Sequence, residues 1–237
     1  KPKGFFYLDH RTVDAKLGIV TDTFATPANV HDSIVYLARL DRQRQRFALD
    51  VTAVGLDAGY ATTGIARGLE ERDILGVTGY RRPLPPRPGM MRKSAFAYEE
   101  QADGYRCPQG QRLTYATTDR NGYKHYRSDP AVCQTCRLLA SCTSNAKAER
   151  TLTRHVWQDA RERADAHRLT AWGKAIYKRR KETVERSFAD AKQLHGHRYA
   201  RFRGLVRVKT QCLLAAAAQN IKKIAMALTK AHEQAPA

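Results

Sequence analysis

Four prolines within twelve residues, Arg81–Arg92 (RRPLPPRPGMMR), divide this chain more sharply than any other feature. Proline lacks an amide donor and fixes φ, so neither helix nor central strand runs through such a stretch. The segment reads as a linker into a unit of different composition. Before it, residues 4 to 26 carry the β-formers Phe5, Tyr7, Val13, Leu17, Ile19, Val20 and Phe24 around a turn at Asp14–Gly18, which predicts two strands. After Pro27, Ile34, Val35, Leu37, Ala38 and Leu40 recur at near-helical spacing up to about Arg46, with Asp32 as the expected N-cap. A short buried strand is expected at Val51–Leu56, ending directly on Asp57. A helix at Thr63–Glu71 and a strand at Ile74–Val77 follow. This alternation is a mixed α/β pattern.

Beyond the prolines, residues 93 to 150 offer short β-like segments (Phe96–Tyr98, Leu113–Thr117, Tyr123–Arg127) and four of the five cysteines. From Arg154 onward the pattern is helical, with helices expected near Val156–Leu169, Lys174–Gln193 and Leu205–Thr229. The expected division is therefore 1–80, then 81–153 as linker and Cys-containing unit, then 154–237. No stretch of about 18 apolar residues appears, and the tract Leu213–Ala218 is too short to span a bilayer. No signal peptide is present, and a chain that opens on Lys1-Pro2-Lys3 is expected to be a piece of a longer protein.

Lys and Arg number 42 against 23 Asp and Glu, a net charge of +19. Such an excess favours a polyanionic partner, because neutralising phosphates releases condensed counterions. Eleven of the cations fall between Tyr177 and Lys209, against three acids. Within that span, His195–Arg207 interleaves Tyr199 and Phe202 with Arg198, Arg201 and Arg203, residues suited to stacking on bases and to holding phosphates. A solvated charged connection is the plain alternative. No helix-turn-helix, basic zipper or paired-finger pattern is complete.

Cys107-Pro-x-Gly, Cys133-x2-Cys136 and Cys142 place four thiols where a closed tetrahedral zinc site would take them. The spacing is not that of two standard knuckles, and unligated thiols or an iron–sulfur cluster are the other readings. His125 is a substitute ligand. Cys212, on an apolar helix face, reads as a buried small hydrophobe.

Two acids stand out by position. Asp57 closes a buried strand, where a side chain is rigidly held yet open to substrate; it suits either a Mg²⁺ ligand or a cap on the turn at Ala58-Gly59. Glu185 lies on the helix YKRRKETVERSFADAK (Tyr177–Lys192), where steps of three, four and seven put Lys178, Lys181, Glu185 and Lys192 on one α-helical face. Val184, Phe188 and Ala191 supply an apolar stripe to dock that helix.

Leu56-Asp57-Ala58-Gly59-Tyr60 resembles the A-D-x-G-Y element of bacterial insertion-sequence transposases of the DDE type. Tyr177 to Lys181, Val184-Glu185, Phe188 and Lys192 resemble their Y-R-E-K signature, and the Cys block resembles an insertion found in one branch of them. The resemblance implies an RNase H-like mixed sheet with flanking helices, interrupted by the Cys-containing unit. It implies an Asp-Asp-Glu triad holding Mg²⁺ or Mn²⁺, with Asp57 as the second Asp and Glu185 as the Glu. It further implies DNA cleavage and strand transfer at transposon ends, DNA contacts by Tyr177, Arg180, Lys181 and Lys192, and a homodimer assembled on DNA in the bacterial cytoplasm, at the nucleoid. The signature leaves three residues between Arg and Glu, whereas Arg180 and Glu185 are separated by four; either Lys181 takes the Arg role, which the helical face favours, or the Tyr177/Arg180 pair is displaced by one. The first Asp belongs on a strand expected to precede Lys1, so the chain as given is expected to be inactive alone. A non-catalytic DNA-binding protein and an inactive relic are the alternatives.

Overall fold

In the computed structural model, residues 4, 6–80 and 87–233 are described, and the chain divides into two compact units, Lys1–Tyr80 with Ala160–Ala237, and Arg81–Asp159. The first unit is mixed α/β. Strands β1 (Tyr7–Val13) and β2 (Val20–Pro27) form an antiparallel hairpin in which Leu8 faces Thr26 and His10 faces Phe24. Strands β3 (Ala53–Leu56) and β4 (Leu75–Thr78) pair in parallel, Ala53 with Leu75 and Leu56 with Thr78. Each pair stands as its own two-stranded sheet among the described residues.

Helix α1 (Asp32–Phe47) begins one residue earlier than expected in capping terms. His31, not Asp32, is the N-cap, its ring accepting from Ser33 N at 3.3 Å. Asp32 occupies the first turn instead, where its carboxylate meets His10 Nδ1 at 3.3 Å and complements the helix dipole. The helix ends at Ala48, which adopts φ 49° while Leu49 N returns to Arg44 O. Helix α2 (Thr63–Glu70) is capped by Thr62. Leu40, Leu56, Ile65, Leu69 and Ile74 form the core joining these two helices to β3 and β4. Fully burying side chains of this kind contributes about 1.5–3 kcal/mol each.

The second unit is a five-stranded antiparallel sheet in sequence order: β5 (Ala97–Glu99), β6 (Gly104–Arg106), β7 (Arg112–Thr118), β8 (Tyr123–Ser128) and β9 (Thr151–His155). Sequence reasoning missed β6 and β9. The first is only three residues long, and β9 falls across the boundary expected at 153/154, which the fold places after Asp159. Residues 81–86 of the proline-rich segment lie outside the described residues, and Arg87–Arg92 adopt no helix or strand. Two four-residue helices, α3 (Pro130–Cys133) and α4 (Leu139–Cys142), follow β8, so Cys133 and Cys142 end short helices rather than sitting on open loops.

The core of this unit is aromatic: Phe96, Tyr105 and Tyr126 with Leu113 and Leu152. Tyr98 and Tyr126 both donate to Asp103 Oδ1, at 2.8 and 2.6 Å, and Lys124 Nζ reaches Oδ2 at 3.0 Å.

The remaining helices return to the first unit. Helix α5 (Gln158–Leu169) starts at the boundary, and its Ala160 and Ala164 pack on Ala66 of α2. Helix α6 (Ala171–Arg180) continues through a π-helical turn, Lys181–Glu185, into α7 (Arg186–Leu194), so the helix expected over Lys174–Gln193 is not one regular α-helix. The 29-residue α8 (Leu205–Glu233) packs Val208 and Cys212 against Ala25 of β2. No helix of the described residues is long and apolar enough to cross a membrane.

Asp103 yields a pH prediction. The Tyr126 hydroxyl foremost, with Lys124 and Tyr98, outweighs desolvation and lowers its pKa from the ordinary 3.8 to about 2. A depressed folded-state pKa contributes stability above the unfolded value, and that contribution is lost as pH falls through the folded one. Asp103 sits at φ 39°, a conformation that Asn also tolerates, so Asp103→Asn is a clean comparison. Urea midpoints read from near-ultraviolet dichroism of the tyrosine cluster should differ between the two proteins at neutral pH. The difference should narrow as pH falls from about 4 to about 2.

Candidate active site

The C-terminal ends of β3 and β4 open onto the helix carrying Glu185. Directly after β3, Asp57 caps the 3-10 turn Ala58–Tyr60, with Oδ1 accepting from Gly59 N at 2.7 Å. The capping role expected as an alternative is thus real, but it occupies only one carboxylate oxygen. The acid of α1 stands close by: a methyl group at Gly59 would lie 3.0 Å from Asp57 Oδ1 and 3.4 Å from Asp32 Oδ2. Tyr60 registers the same crowd. Burial raises its pKa, Asp32 and Asp57 push the same way, and Arg180 opposes them. Asp57, Asp32 and Arg180, from three elements, therefore surround one phenol.

Helix α6 reaches this place because glycines let it. A Cβ at Gly55 of β3 would meet Arg180 Cγ at 3.3 Å and Ile176 Cγ2 at 3.4 Å, so the helix lies directly on the strand. A Cβ at Gly79, just past β4, would come within 2.7 Å of the Tyr177 hydroxyl and 2.9 Å of Ala58 N. Tyr177 is thereby set between the two strand ends. Its hydroxyl accepts from Arg180 Nη1 at 3.3 Å, and Arg180 Nη1 meets Glu185 Oε1 at 3.5 Å. The Arg180 side chain is 14% exposed and that of Glu185 51%, so the acid faces solvent with its partner tucked beneath.

The neighbour of Glu185 differs from the one that helical spacing favours: it is Arg180, not Lys181. A regular α-helix pairs residues four apart, which favoured Lys181 as the neighbour of Glu185. The π turn takes up one extra residue, so the residue five positions back makes the contact instead. The Thr183 hydroxyl, inside the turn, donates to Arg179 O at 3.0 Å. The signal was present in the sequence as the four-residue spacing between Arg180 and Glu185.

On the outer side of α7, Glu185, Lys192 and Arg198 share an open groove of about 420 Å³ with Phe188. Among the remaining basic residues, Arg201 packs over Gly196 and its amide donates to Gln211 Oε1 at 2.9 Å, while Arg203 is exposed. Tyr199 (76% exposed) and Phe202 also face solvent. Sequence reasoning missed what fixes α7 in place. Arg11 of β1 donates from Nη1 to Ser187 Oγ and O at 3.0 and 3.3 Å, from Nη2 to Asp9 Oδ2 at 2.7 Å, and lies over the Phe188 ring. Ser187 Oγ in turn donates to Gln219 Oε1 of α8 at 2.7 Å. Asp9 is fully engaged, with Thr23 on Oδ1 and His197 Nε2 at 3.1 Å from Oδ2. Burial would raise its pKa, but His197, Arg11 and Thr23 together hold it below the ordinary value. Asp14 accepts from Leu17 N within the hairpin turn.

In the second unit, Cys107, Cys133, Cys136 and Cys142 line one cavity of about 450 Å³. His125 is not among its lining residues; it pairs with Asp119 at 3.3 Å.

A family model described as the transposase DDE domain matches residues 106–225, half of the chain. The match contains all four of these cysteines, the π turn and Glu185, and begins well after Asp57. No curated protein and no solved structure matches the chain.

The π turn predicts an asymmetry between two deletions. Removing Glu182, an exposed residue inside the turn, should restore an α-helix with both flanking faces in register and leave the melting temperature unchanged or higher. Removing Ala189 should rotate everything after it by about 100° relative to α6 and abolish cooperative unfolding. Independently, Gln219→Leu leaves the buried Ser187 hydroxyl without its acceptor and should cost about 1–3 kcal/mol by urea unfolding.

Proposed function

Because this chain belongs to the transposase DDE domain family, we propose that it acts in cutting DNA at the ends of an insertion sequence and joining the freed 3′-OH to target DNA. The observation that carries this reading is the line Tyr177–Arg180–Glu185 laid across the strand ends where Asp57 stands. Asp57 and Glu185 supply hard oxygen donors, the kind that suit Mg²⁺ or Mn²⁺ with water and phosphate oxygens filling the other positions. Asp57 keeps one oxygen outside its capping bond and Glu185 faces solvent, so the donor set fits such a cation. When bound, the cations supply activation of the attacking oxygen and stabilisation of charge on the leaving one.

The chain's own residues orient the DNA. Arg180, held by Tyr177, pairs with one oxygen of the Glu185 carboxylate, and a phosphate entering the groove draws on Lys192 and Arg198. Tyr199 and Phe202 lie exposed among arginines, where unpaired bases at a nicked end would stack. Lys181, Arg201 and Arg203 extend the same basic surface.

The fold reading that goes with this function is RNase H-like. Strand β1 pairs only with β2 and β3 only with β4 among the described residues, leaving each pair with a free edge. A further strand between β1 and β3 would join them into one five-stranded mixed sheet, in the order β2, β1, the added strand, β3, β4. Such a strand is where the first Asp of the triad belongs on this reading. Asp9 and Asp14 are committed to the bonds already described. On this reading the active assembly is a dimer on DNA.

The test compares Glu185→Gln with the unaltered protein, each carrying whatever precedes Lys1 in its gene, on a DNA end with Mg²⁺. Cleavage and strand transfer should be lost while DNA affinity is largely kept. Undiminished strand transfer would remove Glu185 from the reaction. Separately, Lys192→Ala and Arg198→Ala should each weaken DNA binding at all sequences. Each should lower the slope of log K against log salt by about 0.9, the share of one neutralised phosphate.

A further inference from the structure

The second unit carries a chemical grouping that the DNA reaction does not use. Four thiols from three places in the sequence line a single cavity: Cys107 in the β6–β7 turn, Cys133 and Cys136 at and just past α3, and Cys142 ending α4. All four are free, and Cys107 and Cys142 both pack against the aromatic core beside that cavity.

Two of them sit on matching turns. Gln109 N donates to Cys107 Sγ at 3.3 Å and Leu138 N donates to Cys136 Sγ at 3.4 Å, in each case from the residue two positions on. An amide aimed at sulfur favours the thiolate over the thiol, which is the form a metal takes. The first turn is closed by Gly110 N on Cys107 O at 2.8 Å, with Gly110 at φ 77°, where a side chain would be strained.

The third observation is a buried cation. Arg150 is 8% exposed and bonds to Cys142 O at 2.8 Å and Met91 O at 3.2 Å, while its Nε has no partner. A guanidinium is costly to bury without negative charge nearby. Zinc held by four thiolates carries a net charge of about −2, and Arg150 lines the same cavity as those sulfurs. Neither α3 nor α4 buries a residue of its own in the core.

We propose that this unit binds one Zn²⁺ through Cys107, Cys133, Cys136 and Cys142, as a structural site closed to solvent ligands. The sulfurs ring the cavity without yet being drawn together, since no three of them lie within 4.8 Å of one another. Tetrahedral ligation at about 2.3 Å per bond would bring them to within roughly 3.8 Å. The one group whose donor atoms are that close, Asp9, His197 and Cys212, is a poorer candidate among the described residues. Arg11 already neutralises Asp9, and burial pushes the Cys212 thiol up to about 12, so it stays protonated.

The experiment measures metal content of the full chain purified under reducing conditions, and replaces the metal with Co²⁺. One zinc per chain is expected, with the visible bands of tetrahedral thiolate-bound Co²⁺ after exchange. Cys212→Ser should retain the zinc, Cys107→Ser should lose it, and Arg150→Met should bind it about 10- to 100-fold more weakly. A second measurement uses the unaltered protein and so does not depend on a Cys→Ser chain folding: titration with a mercurial should release zinc only as four thiols are consumed. A metal-free chain that takes up neither Zn²⁺ nor Co²⁺, iron in place of zinc, or zinc retained in Cys107→Ser would overturn the assignment.

Discussion

A single buried guanidinium organises the first unit. The Arg11 side chain is 0% exposed, and burying a charge of that size is tolerated only where partners surround it. Asp9 supplies the countercharge on the same strand, and the rest must come from elsewhere in the chain: Ser187 through both its hydroxyl and its carbonyl, and the face of Phe188. Gln219 then closes the network by bonding to Ser187 from α8. One cation on β1 thus fixes α7 and, through it, α8. Glu185 lies two residues before Ser187, so the position of the exposed acid is inherited from a fully buried base.

The strand ends provide the other half of the arrangement. Gly55 and Gly79 have no side chains, and α6 takes that space, setting Ile176 and Arg180 on β3 and Tyr177 between the two strand ends. Between the helix seated on those glycines and the helix seated on Arg11 there is one residue too many for a continuous α-helix. The π turn is where the two constraints are reconciled. Its effect is to bring Arg180, rather than Lys181, to Glu185. π turns are commonly found at functional sites.

The two units are stabilised by different means. The first has an aliphatic core between α1, α2, β3 and β4, long enough elements to bury leucines and isoleucines on one face. The second has short strands and a small tyrosine-rich core, with hydroxyls gathered on Asp103. Cys142, from the segment between β8 and β9, packs against that core, as does Cys107 from the β6–β7 turn.

Periodicity and punctuation in the sequence were enough for the element order. The hairpin, α1, β3 ending on Asp57, α2, β4, the proline break and the last helix follow from apolar spacing and turn residues, which are local properties of the chain. The candidacy of Asp57 and Glu185 was legible as well, because a family pattern places particular residue types at set distances. Three things were not. Strands β6 and β9 are too short or too polar to announce themselves, and form because neighbouring strands offer them hydrogen bonds. The partner of Glu185 depends on a helix departing from 3.6 residues per turn, which only two competing packing surfaces impose. The convergence of Arg11, Ser187 and Gln219, and of four cysteines on one cavity, joins residues far apart in sequence. A sequence specifies which groups are present and how they are spaced along a strand or helix; which of them meet is decided where buried charge and close-packed glycine leave the chain only one way to fold.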